Sequence, residues 1–151
     1  MKRISKTLLM SVAVFSNNVS CGKANTSDIA QQQLYSNKAG TQIRLLEYHG
    51  NCQAISLTED GTIVRYALDM PAPCHFHTDK MGNIRTLDES GYVYILIESS
   101  KQMPRQHSDC ETHLQSIRIK GTLVEISKHK ERVASCPPFQ WDAFMFTELF
   151  D

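Results

Sequence analysis

An excess of charge of either sign is the first thing this sequence lacks. It carries sixteen Lys+Arg against sixteen Asp+Glu. Three of the basic residues (Lys2, Arg3 and Lys6) fall within residues 1–20, which hold no acid, so the remainder has 13 basic against 16 acidic residues, a net of −3. That balance lacks the basic footprint by which proteins hold nucleic acid, and no nucleic-acid partner is expected. Long apolar runs are missing too. The two clear ones, residues 7–15 and 92–97, fall well short of the roughly 20 residues a membrane helix requires. Catalytic signatures are also absent: there is no Gly-x-Ser-x-Gly, no His-Glu-x-x-His, no phosphate-binding glycine loop and no Cys-x-x-Cys. The acidic pairs Glu59/Asp60 and Asp88/Glu89 lie in turn signals, where a solvated surface explains them better than a glycosidase dyad. The expectation is a protein that is not an enzyme.

What is present is strand pattern. The stretch 91–98 (GYVYILIE) holds six consecutive apolar residues. On a strand, Tyr92, Tyr94 and Leu96 face one way and Val93, Ile95 and Ile97 the other, so this strand is covered on both sides and should be central. Other strands are expected at 42–48, 52–58, 62–68, 74–79, 84–87, 114–120 and 123–127. Glu59-Asp60-Gly61 marks a hairpin, because Asp-Gly readily supplies the positive φ of a tight turn. Met70-Pro71-Ala72-Pro73 should interrupt the sheet, and residues 99–109 read as a polar loop. Trp141, Phe144, Met145, Glu148 and Leu149 recur at helical spacing, which predicts a short C-terminal helix whose Trp141 and Phe144 pack on the sheet or plug an open end. About eight short strands with no long helix between them make parallel pairing untenable. The fold class is therefore mostly β: a small antiparallel barrel or sandwich, disulfide-stabilised, with a short C-terminal helix.

The chain begins with a basic segment (1–6), an apolar run (7–15) and a polar Ser16-Asn17-Asn18, the region order of a secretory signal peptide over residues 1–20. Residues 21–40 form a polar tether or a short helix (28–37), and 41–151 a single β-rich domain. Val19-Ser20-Cys21 followed by Gly22 partly resembles the lipobox of bacterial lipoproteins, with Asn18 where a Leu-like residue is usual. The resemblance implies lipidation of Cys21 and an outer-membrane lipid anchor. Without it the protein is periplasmic or secreted.

Five cysteines leave one thiol over in an oxidising compartment. Setting Cys21 aside, Cys52, Cys74, Cys110 and Cys136 should form two disulfides, with three pairings open. A metal site is the sharper alternative. Cys74-His75-Phe76-His77 puts two histidines on one strand face, and Cys110-Glu111-Thr112-His113 adds a third, so His75, His77 and His113 with the thiolates could suit zinc or copper. Against it, exported cysteines oxidise, and Phe76 toward the core would leave His75 and His77 in solvent. No cofactor is expected.

A leader, a small antiparallel β-fold and disulfides together resemble, in architecture alone, bacterial periplasmic inhibitors of lysozyme and the immunity proteins that guard against secreted toxins. The resemblance implies a monomeric binding protein with an envelope or extracellular protein as partner, and it carries no site residues.

Overall fold

The structure, a computed structural model, describes residues 33–104 and 109–151. The leader, Cys21 and most of the expected tether lie outside the described residues. Ten strands fall among those described. The first four are β1 (Leu34–Ser36), β2 (Gln42–Tyr48), β3 (Asn51–Leu57) and β4 (Ile63–Pro71), which form an antiparallel sheet in that order. The next six are β5 (His75–Phe76), β6 (Thr86–Glu89), β7 (Tyr92–Gln102), β8 (Cys110–Lys120), β9 (Leu123–Ile126) and β10 (Glu131–Val133). They build a second antiparallel sheet along β10-β8-β7-β5, with β6 also paired to β7 and β9 to β8. A short helix α1 (Phe144–Thr147) and a 3-10 turn (Glu148–Phe150) end the chain.

The two sheets share no ladder, so the architecture is a sandwich rather than a closed barrel. Strand alternation accounts for the core. Ile43, Leu45, Ala54, Leu68 and Met70 of the first sheet pack on Phe76, Ile95, Ile97, Ile117 and Ile119 of the second. The opposite face of the second sheet presents Tyr94, Leu96 and Leu114 to Trp141, Phe146 and Leu149 of the C-terminal segment. β7 is thus covered on both sides, as its uninterrupted apolar run requires. Burying each of Ile95, Leu96, Ile97, Ile117 and Ile119 contributes about 1.5–3 kcal/mol.

Turn chemistry fixes the register. Tyr48 pairs with Asn51 and Glu89 with Tyr92, leaving the two-residue loops His49-Gly50 and Ser90-Gly91. All four residues have positive φ (50°, 77°, 53° and 79°), the geometry that lets a two-residue loop follow the right-handed strand twist. At the expected third hairpin, Asp60 accepts the Thr58 hydroxyl at 2.5 Å and the Thr62 N–H at 2.9 Å. These hydrogen bonds hold its carboxyl below the usual range, the Thr58 hydroxyl contributing most.

Several expectations are corrected. Where a helix was expected over 28–37, residues 34–36 are a strand, because Tyr35 can pair with Ile43 and bury against the core. The expected loop at 99–109 is shortened: β7 runs to Gln102, opposite Cys110, so one long hairpin carries much of the polar sequence. β4 continues through Met70 to Pro71, which an edge strand tolerates at its end. The C-terminal helix is a single turn that begins after Trp141. Trp141 is buried as expected, but Phe144 is 70 % exposed and Phe146 takes the buried place.

Candidate functional site

The cysteines pair as Cys52–Cys74 and Cys110–Cys136, with Cα separations of 6.1 and 4.9 Å inside the range a disulfide spans. The first ties β3 to the segment entering β5, joining the two sheets. The second ties the start of β8 to the C-terminal segment. Both suit a chain that matures in an oxidising compartment.

The histidines of the metal hypothesis are not brought together. His77 lies on the face of the second sheet that meets the C-terminal segment, with its ring 6.0 Å from that of Phe146. His113 shares strand parity with Ile117 and Ile119, which pack against the first sheet, and lies 3.3 Å from Glu111. Cys74 and Cys110 are in separate disulfides. The expectation that His75 and His77 both face solvent is also corrected, since His75 is half-buried and His77 is 1 % exposed.

His77 is buried because it has a partner. Its Nδ1 shares a hydrogen bond with Glu98 Oε1 at 2.6 Å, and Trp141 Nε1–H donates to Glu98 Oε2 at 3.1 Å. A carboxyl group at 3 % exposure requires such donors. Arg85 closes the arrangement: its Nη1 donates to the Trp141 carbonyl, and its guanidinium lies 5.2 Å from the Phe146 ring centre. Ser116 Oγ donates to the Phe146 carbonyl at 2.8 Å and Gln140 Nε2 to the Thr78 carbonyl at 3.2 Å. Together these bonds fasten the C-terminal segment across the second sheet. The imidazole Nε2 is enclosed without a hydrogen-bond partner, so the cluster is closed to a substrate and reads as a fastening. Sequence reasoning missed Glu98. The available signal was an acid continuing the Tyr94, Leu96 parity into a buried strand, together with a lone Trp whose N–H needs an acceptor.

The exposed feature of the fold is the outer face of the first sheet. Alternation sends Ile43, Leu45, Ala54 and Leu68 inward and leaves the intervening residues outside. An exposed sheet face is ordinarily polar. Here it carries Leu34 and Ile63, at 42 % and 62 % exposure, and the half-buried Leu46, Ile55 and Leu57. Cross-strand register puts Leu34, Arg44, Ile55 and Arg65 in one row, and Ser36, Gln42, Leu57 and Ile63 in the next. Arg44 and Arg65 are exposed, and neither forms an ion pair among the described residues. Asp69, the acid on the outward parity of β4, is 2.6 Å from Lys130 and so already neutralised. The arrangement is a sheet face with aliphatic residues and two guanidinium groups that have no ion-pair partner among the described residues.

No protein-family model, curated protein or solved structure matches this chain.

Proposed function

We propose that this chain is an exported, disulfide-stabilised binding protein of the bacterial cell envelope, and that it engages a protein partner through the outer face of its first sheet. The observation that carries the reading is the contiguous aliphatic surface formed by exposed Ile63 and half-buried Ile55 and Leu57 on the adjacent strand. Single exposed apolar residues are ordinary, whereas neighbouring ones on adjacent strands cost solubility and mark surfaces used for contact. Two disulfides and a leader-like N-terminal pattern support export. The Cys21 context supports a lipid anchor that would hold the domain at the membrane.

The test is site-specific photocross-linking in cells of the native host. A benzophenone side chain at position 55 or 57 is expected to give a discrete protein adduct. The same group at Lys128, on the exposed segment after β9, should give none. Equal labelling at all three positions, or none at 55 and 57, would overturn the assignment of this face.

A further inference from the structure

Building on that reading, we infer that the partner presents an acidic amphipathic helix, read by Arg44 and Arg65 on either side of Ile55. The three residues occupy one cross-strand row, Arg44 opposite Ile55 and Ile55 opposite Arg65. Two strand spacings separate the arginines, about 10 Å of backbone. An α-helix rises about 10.5 Å over seven residues, so carboxylates at positions i and i+7 meet the two guanidinium groups. Positions i+3 and i+4 of the same helix face then fall over Ile55 and reach Leu57 and Ile63 in the neighbouring row.

Charge selects the occupant. Setting residues 1–20 aside, the chain is net acidic, yet this face carries two arginines with no ion-pair partner among the described residues and an acid, Asp69, already held by Lys130. An aliphatic ridge flanked by carboxylates satisfies the guanidinium groups with bidentate bonds and covers the apolar rows in one contact. A purely apolar partner would bury Ile55 while leaving two guanidinium heads beside it unpaired. A second copy of this chain would set Arg44 and Arg65 against the same arginines across a two-fold axis, a repulsive contact.

The experiment uses the oxidised protein purified from the native host and three synthetic 15-residue helical peptides. All carry Leu at i+3 and i+4; positions i and i+7 are Glu, Gln or Lys. Binding is read by fluorescence anisotropy and by backbone NMR shifts. The Glu peptide is expected to bind at least tenfold tighter than the Gln peptide, with shifts on β2, β3 and β4. The R44E/R65E variant, whose fold is checked by its circular dichroism and melting temperature, should lose the Glu peptide and gain the Lys peptide. Equal binding of Glu and Gln peptides, or no binding, overturns the inference. So does Arg-dependent binding to phosphatidylglycerol vesicles by a protein that ignores the peptides, which would assign the face to a lipid surface. Cross-linking from position 55 separates the two levels. An adduct to a partner segment without acidic residues sinks the acidic-helix inference and leaves the binding-protein reading intact. A missing adduct sinks the face itself, whatever the peptides do.

Discussion

His77 Nδ1 lies 2.6 Å from Glu98 Oε1 at a point where neither residue is more than 3 % exposed. His77 directly follows β5 and Glu98 lies on the paired strand β7, and Trp141 reaches the second carboxyl oxygen from a segment 43 residues away in sequence. One buried carboxyl thus joins the second sheet to the C-terminal segment. Removing one partner from such a pair leaves the other buried without compensation, at about 3–5 kcal/mol. His77→Ala and Glu98→Ala should each lower the free energy of unfolding by that amount in urea titration. The double variant should cost less than the sum of the two by at least about 1 kcal/mol, because the second deletion removes a group already orphaned. Additive losses would mean that the two residues act separately.

Trp141 contributes both a ring and an N–H. Trp141→Phe keeps most of the apolar area packed with Tyr94, Leu96 and Leu114 and deletes the bond to Glu98. Losing the partner of a buried polar group costs about 1–3 kcal/mol, which sets the expected loss. Hydrogen exchange should localise it. The amides of Phe146, which bonds back to Ala143, and of His129, which bonds to the Leu149 carbonyl, should exchange faster, while the β2–β3 ladder stays protected. Uniform acceleration across both sheets would show that the C-terminal segment does not open as a separate unit.

The two disulfides close loops of similar length, with sequence separations of 22 and 26. Chain entropy scales with the logarithm of loop length, so each should stabilise the fold by roughly 3–4 kcal/mol, nearly equally. The paired replacements Cys52→Ala/Cys74→Ala and Cys110→Ala/Cys136→Ala should therefore lower the urea midpoint by similar amounts. Their consequences for binding should differ. The first bridge anchors β3, whose outward side carries Ile55 and Leu57, and its loss should weaken any contact made there. The second lies at the opposite end of the chain and should leave that contact unchanged at temperatures where the variant is folded.

Much of the fold was legible because strand chemistry is local. The apolar run at β7 demanded cover on both faces, and Glu59-Asp60-Gly61 dictated a hairpin whatever lay elsewhere. Residues 34–36 and 144–146 were misread for the opposite reason. Tyr35 becomes a strand residue through pairing with Ile43, and Phe146 replaces Phe144 in the core because the helix starts one turn later than periodicity suggests. Both outcomes depend on pairing and packing with residues outside the segment itself. The histidines show the same limit. Period-two alternation correctly put Phe76 in the main core and His75 and His77 on the other face. It could not reveal that the other face is also covered, by a segment more than 60 residues further on. The alignment of Arg44, Ile55 and Arg65 in one row is likewise a matter of register, which no single strand encodes.

The turn between β5 and β6 offers a last test, through pH. Asp79 accepts the backbone N–H groups of Met81 at 2.8 Å and Asn83 at 2.9 Å, and its other oxygen takes the Asn83 side-chain amide at 3.2 Å. These bonds hold its carboxyl below the ordinary value, the backbone N–H of Asn83 first among the causes. A depressed folded-state value means that the charged form is favoured by folding. The contribution is therefore complete above the unfolded value, about 3.9, and is lost as pH falls through the lower folded one. Asp79→Ala should lower the melting temperature at pH 7 by a few degrees, on the order of a lost turn cap. The difference from the parent protein should shrink steadily below about pH 4, as the parent itself protonates the group. A difference that stays constant from pH 7 to pH 2.5 would show that the carboxylate charge plays no part in holding the turn, and that the substitution acts only through the backbone.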